Sequence, residues 1–237
     1  MAEETPKFVE RVVCLANSRK SLGRCVAGKR VSDRSWFRPV SDHPGHEISE
    51  LDRRYPDGKT AQLLDVIDIP CHEARPHRHQ SENVLIDDRF YWAKHGRASW
   101  EDIEKLVDRN ANLWANGHSA YYNRNNRVPD ALIDPADGSL RLISLDEIVL
   151  HATPKAPGFG NMKLTVRASF DYRGDSYQLD LTDNELEAAC LHRGAGDYPL
   201  KHVIACVSLT EPHTNQNGET FAYKVVASII HQKRVGA

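Results

Sequence analysis

With 237 residues, 40% of them apolar and 27% charged, and a formal net charge of −2, the chain has the composition of an ordinary folded globular protein. That balance excludes a disordered polyelectrolyte, and no run of 18 apolar residues occurs to suggest a membrane-crossing helix. The near-neutral total gives no global attraction for a polyanion, and the length allows one large domain or two of about 100 residues each.

The first ten residues carry two acidic side chains and no apolar run of the kind a signal peptide needs, so a cytoplasmic location is expected. Arg11 to Ala16 reads as a strand, Arg24 to Ala27 as a short second and Ser35 to Val40 as a third. In Glu47 to Arg54, Ile48 and Leu51 stand three apart, the spacing of a short helix ended by Pro56 and Gly58. Ala61 to Ile69 is apolar and β-branched, and Asn83 to Trp92 is a weaker fifth strand. From Ser99 to Leu113 a helix is expected, with Ser99 as cap, Asp102 three residues on, and a stripe of Trp100, Ile103, Leu106 and Val107. The Asn-, Gly- and Tyr-rich segment Trp114 to Asp137 reads as a structured connection whose tyrosines pack on a barrel.

The second half alternates more cleanly. Leu140 to His151 is apolar-rich, and Lys163 to Tyr172 sets Leu164, Val166, Ala168, Phe170 and Tyr172 on one side against Lys163, Thr165, Arg167, Ser169 and Asp171 on the other. Gly158 to Asn161 before it is read as a loop. The turn Arg173 to Ser176 leads into Tyr177 to Leu181, and Thr182 or Asp183 can cap a helix through Leu191. Lys201 to Leu209 and Phe221 to His231 follow as strands around the polar loop Glu211 to Thr220. The order is three strands, a helix and two strands, that of an OB barrel, and the first half gives the same order less clearly. The expected fold is therefore mainly β with minor α: two OB-like five-stranded barrels, 1–98 and 138–237, joined by the connection 99–137.

Five cysteines, Cys14, Cys25, Cys71, Cys190 and Cys206, are scattered in apolar runs and read as buried free thiols. His43, His46, Cys71, His72, His77 and His79 could assemble a zinc site, but no C-x-x-C pair exists and several lie in a Pro- and Arg-rich loop, so neither metal nor other cofactor is expected. No nucleophile elbow, Walker loop, Rossmann glycines or H-E-x-x-H helix is present. His79, Glu82 and Asp183 remain open as an acid or base.

Charge is unevenly distributed. Arg19, Lys20, Arg24, Lys29, Arg30, Arg34 and Arg38 face the single acid Asp33, and the stretch Asp42 to Glu73 reverses the sign, which suggests a basic face behind the neutral total. The loop Asn17 to Arg24 offers basic and small polar residues for phosphate, with a solvated loop as the alternative. Trp36 and Arg38 share a strand face and suit base stacking beside a cation, with Trp36 in the core and Arg38 in an ion pair as the alternative.

The chain resembles the prokaryotic dual OB domain family. The resemblance rests on Cys14 to Lys20 with Gly23 to Gly28, Trp36 to Ser41, His79 to Asn83, Tyr177 to Leu179 with Thr182-Asp183, Ser208 to Pro212 and Tyr223 to Ile230. It implies a nucleic-acid-binding module, with a recognition role in defence or mobile-element systems. It places Ser18, Arg19, Lys20, Arg24, Arg38, Asn83 and Lys224 among candidate ligand contacts, to which the residues themselves add Trp36, Tyr172 and Tyr177 as candidate stacking aromatics. The expected partner is single-stranded or locally opened DNA or RNA. The alternatives are a nucleotide-like small molecule held between the barrels, and an enzyme acting on nucleic acid, which the residues leave open.

Overall fold

The computed structural model describes residues 5–20, 23–109, 111–154 and 164–236. By its internal contacts the chain divides into two units, Met1–Leu106 and Val107–Ala237.

The first unit is built from β1 (Phe8–Lys20), β2 (Gly23–Arg30), β3 (Trp36–Val40), β4 (Asp65–Ala74), β5 (Asn83–Ile86), β6 (Ala93–Arg97) and the short helix α1 (Trp100–Glu104). Strands β1, β2 and β3 form an antiparallel meander, β3 pairs in parallel with β5, β5 pairs with β4, and β4 returns to β1. The sheet closes because β1 pairs on both sides, Phe8 to Val13 with β4 and Val12 to Lys20 with β2. A bulge between Cys14 and Ala16 provides the bend that this needs. Gly28 lies opposite: a Cβ there would stand 2.2 Å from the Val13 carbonyl oxygen, so only glycine allows the two backbones to approach. Val12, Cys14, Val26, Phe37, Ile67, Ile69, Val84, Ile86 and Trp92 fill the core.

The segment read as a helix at Glu47 to Arg54 is not helical. Ile48 pairs with Arg24 as an isolated bridge and is buried, whereas Leu51 is exposed, so the i, i+3 spacing marks no common face. Ser49 and Asp52 exchange the hydrogen bonds of a capping box, closing one turn with no helix behind it. Helix α1 has its capping box from Ser99 and Asp102 but ends at Glu104, short of the expected Leu113. Asp108 is instead bonded to strand residue Leu142, its N–H donating to that carbonyl at 2.8 Å and its carboxylate accepting from the Leu142 N–H.

The second unit repeats the pairing scheme. Its elements are β7 (Arg127–Pro129), β8 (Leu140–Pro154), β9 (Leu164–Tyr172), β10 (Asp175–Leu181), α2 (Asn184–Arg193), β11 (Gly196–Leu209), β12 (His213–Thr214), β13 (Thr220–Ile230) and α3 (Gln232–Val235). Strands β8, β9 and β10 are a meander, β10 pairs in parallel with β13, β13 pairs with β11, and β11 returns to β8. Helix α2 stands between the third and fourth strands of this ring, the OB order. Arg173 and Gly174, both with positive φ, close the β9–β10 hairpin in the manner of a type I′ turn. Ile148, Leu150, Ala152, Val166, Ala168, Phe170, Leu179, Val207 and Val226 face inward, as the period-two pattern requires. The cysteines are free thiols, buried except for the half-buried Cys25, and burial pushes Cys14 and Cys71 up to about 12. The Gly158 to Asn161 turn and Lys163 lie outside the described residues.

Candidate functional site

Arg24, Arg30 and Arg38 of the first unit form ion pairs, whereas Arg19 and Arg34 are exposed. Arg24 Nε stands 3.2 Å from Glu50, Arg30 Nε 3.1 Å from Glu10, and Arg38 3.3 Å from Glu82. Lys29 is buried, donates to the Leu106 carbonyl at 2.7 Å and lies 5.0 Å from the Trp36 ring. Part of the basic face expected from the sequence is thus neutralised, by Glu50 of the acidic stretch and by Glu10 and Glu82 from outside it.

Within this unit the described residues of the stretch read as a loop, Asn17 to Lys20 and Gly23 to Arg24, belong to paired strands, with Arg19 in register with Arg24. Ser18 is buried, its hydroxyl 3.5 Å from the Cys25 carbonyl, and Arg19 is exposed. The Lys20 side chain, with Ser21 and Leu22, lies outside the described residues. On β3, Phe37 occupies the core, Trp36 is half-buried, and Arg38 is buried with Glu82 in the ion pair that the alternative reading foresaw. Asn83, in register with Arg38, is buried and donates to Gln80 Oε1 at 3.2 Å. Buried His79, Gln80, Glu82 and Asn83 therefore line a polar seam under β3. Glu82 acts there as the counter-charge of Arg38.

In the second unit Tyr172, Tyr177 and Lys224 are brought together around the segment entering the barrel. Tyr172 donates its hydroxyl to the Ala111 carbonyl at 2.9 Å. Tyr177 is buried, stacked on Phe170 at 5.2 Å, and its hydroxyl accepts from Asn116 Nδ2 at 2.8 Å. Lys224 has no solvent exposure. It donates to the Ala115 carbonyl at 2.8 Å and to Asn116 Oδ1 at 2.6 Å, with its ammonium 5.3 Å from the Tyr177 ring. These three side chains clamp residues 111–116 to the barrel.

Desolvation lowers the Lys224 pKa from 10.5 to about 8, with Asp175 opposing part of the shift. Since the unfolded chain holds that proton up to about 10.5, it binds more protons than the folded chain above pH 8, and stability rises with pH across that window. Between pH 7.5 and 9.5 the wild type should gain about 2 kcal/mol relative to Lys224→Met, read by urea denaturation at both values. A constant difference between the two proteins would refute the assignment.

Beyond the clamp, residues 116–126 lie along β10. Arg124 and Gln178 exchange backbone hydrogen bonds at 3.0 Å, Asn125 Nδ2 donates to the Ser176 carbonyl at 3.0 Å, and Asn123 Nδ2 reaches Asp180 at 3.3 Å. This strap presents two adjacent tyrosines outward. Tyr121 is 82% and Tyr122 54% exposed, with ring centroids 4.1 Å apart. The Arg167 guanidinium lies 5.6 Å from the Tyr122 ring and pairs with Asp180 at 3.4 Å. Beside it a cavity of about 530 Å³ opens between Arg124, Asp146, Glu147, Ser169, Asp171 and Gln178. Tyr121, Tyr122, Arg124 and Arg167 were not singled out from the sequence, where Tyr-Tyr-Asn-Arg-Asn-Asn-Arg read as packing. The signal available was two aromatics amid residues of turn type, with no alternation to bury either ring.

Asp183 serves as the cap of α2 and the partner of Arg234. Among the described residues no three His, Cys, Asp or Glu side chains are placed to hold a metal ion, and no helix is long and apolar enough to cross a membrane.

The family model of the dual OB-containing domain matches residues 10–229. No curated protein matches the chain. The crystal structure of the tetrameric p202 HIN2 is similar over 98% of this chain and 98% of its own, at 8% identity and a TM-score of 0.31, values too low to bear on function.

Proposed function

This chain belongs to the dual OB-containing domain family, and we propose on that premise that it is a nucleic-acid-binding module taking single-stranded or locally opened DNA or RNA on the strap face of its second barrel. The observation that carries the reading is the exposed Tyr121–Tyr122 pair with Arg167 beside it, on the outer surface of an OB ring. Exposed rings are what OB surfaces use to stack bases without sequence preference, and a guanidinium next to a ring serves both a phosphate and the π-face. The finer setting, a recognition role within a defence or mobile-element system, rests on the family resemblance. Neutral overall charge and the internal ion pairs of the first unit favour modest affinity dominated by stacking.

The test is anisotropy titration of a labelled 20-nucleotide single strand, DNA and RNA in parallel, over a series of salt concentrations. Log affinity should fall linearly with log salt, and Arg167→Ala should reduce the slope by about 0.7, the contribution of one phosphate on a single strand. Absence of binding to both strands at low salt would end the proposal. Mononucleotide binding with no dependence on strand length would replace it with a small-molecule reading.

A further inference from the structure

The outer face of the second barrel carries a hydrogen-bonded chain of serine, histidine and aspartate that neither the core nor the strap requires. Asp197 on β11 stands directly across from His151 on β8, and Ser169 on β9 faces Val149, one pleat from His151. Alternation turns all three outward, since their neighbours Leu150, Ala152, Ala168 and Phe170 fill the interior. His151 Nδ1 is 2.7 Å from Asp197 Oδ1, and His151 Nε2 is hydrogen-bonded to Ser169 Oγ. An ionised carboxylate only accepts, so Nδ1 carries the proton, and in the neutral ring Nε2 must then accept from the serine hydroxyl. This is the arrangement in which an imidazole can withdraw a serine proton, recognised by roles and not by order in the chain.

Ser169 also lines the 530 Å³ cavity. Gln178, in register with Ser169 on β10, and Arg124 line the same cavity and bring N–H donors to its wall. Asp146, Glu147 and Asp171 line it as well and oppose an anionic ligand, so the volume suits a small neutral molecule. We propose that Ser169, His151 and Asp197 form a hydrolytic site for small neutral carboxylic esters, separate from the nucleic-acid reading above. Ser169 Oγ attacks the carbonyl carbon while its proton passes to His151 Nε2. The C–O bond to the leaving alcohol breaks as His151 returns that proton to the departing oxygen, leaving an acyl-serine. Water then attacks the acyl carbon as the same nitrogen takes its proton, and the bond from that carbon to Ser169 Oγ breaks as His151 hands the proton to Oγ, releasing the acid and restoring the serine hydroxyl. Asp197 is a positioning residue, holding the tautomer that leaves Nε2 free to accept.

The test treats the full chain with a fluorophosphonate and follows it by intact mass and peptide mapping, alongside hydrolysis of p-nitrophenyl acetate. One adduct per chain is expected on Ser169, with ester turnover at least 10-fold above Ser169→Ala. Labelling should be lost in Ser169→Ala and His151→Ala, and retained in Ser35→Ala, which removes an exposed serine of the first unit that is not part of the cavity wall. Asp197→Asn should lower kcat and change the pH profile of the remaining activity, which a merely structural contact would leave alone. Circular dichroism and thermal melts of each variant separate lost chemistry from lost fold. An unlabelled wild type, labelling that persists in Ser169→Ala, or labelling indifferent to folded His151→Ala overturns the proposal.

Discussion

Replacing Asp183 by alanine should lower the stability of the second barrel by about 4 kcal/mol, measured by urea denaturation of the full chain. The carboxylate is nearly buried, with 4% of its side chain exposed against 12% for Arg234. One oxygen accepts from the Leu186 N–H at 3.3 Å and from Arg234 Nη2 at 3.1 Å, and the other accepts from the Ile229 N–H at 3.1 Å and from Arg234 Nη1 at 2.5 Å. One side chain thus starts helix α2, fastens the end of strand β13 and holds the C-terminal residues. Alanine removes all of this at once and strands a guanidinium in a poorly solvated position, the costly way to break a buried pair. Asp183→Asn keeps an acceptor for the helix cap and should lose roughly half as much. Near-wild-type stability in Asp183→Ala would show that Arg234 finds another counter-charge, with Glu185, 2.6 Å away, as the candidate.

The same residue illustrates which parts of this molecule can be read before folding. Alternation in Leu164 to Tyr172, the turn residues Arg173 and Gly174 and the cap at Asp183 are local signals, and each element stands where its residue types place it. Misreadings occur where two local rules share a pattern. Ile48 and Leu51 satisfy helical spacing, yet only Ile48 is buried, because Arg24 recruits the backbone at Ile48 into a strand bridge. Helix α1 is started correctly by Ser99 and shortened by a bond between Asp108 and Leu142 that no local pattern encodes.

Charge partners are less legible still. Lys224 and Asn116 are 108 residues apart in sequence, and a lysine in an alternating strand reads as a solvent-facing cation until the chain that covers it is known. Arg38 reads equally as a phosphate contact or an ion-pair partner, and the neighbour that separates the two, Glu82, comes from a different strand connection. The linkage of His151 to Ser169 and Asp197 likewise depends on strand register, over separations of 18 and 46 residues.

Tyr121 and Tyr122 are where an unread feature has the largest consequence for binding. The double variant Tyr121→Ala, Tyr122→Ala should weaken single-strand affinity on the order of 100-fold, since each stacked base is worth about 1 to 3 kcal/mol. Stability should hardly change, because the rings are 82% and 54% exposed and bury little apolar surface against the barrel. Tyr→Phe at both positions should keep most of the affinity, because stacking uses the ring face and not the hydroxyl. Binding in the double alanine variant should become more salt-sensitive relative to its total free energy, because the phosphate contacts remain after the stacking is gone. If the double variant binds as tightly as the wild type while its melt is unchanged, the strap face is not the nucleic-acid surface. The tyrosines would then be exposed for some other reason, and binding would have to be sought on the β1–β2 hairpin, where Arg19 lies exposed.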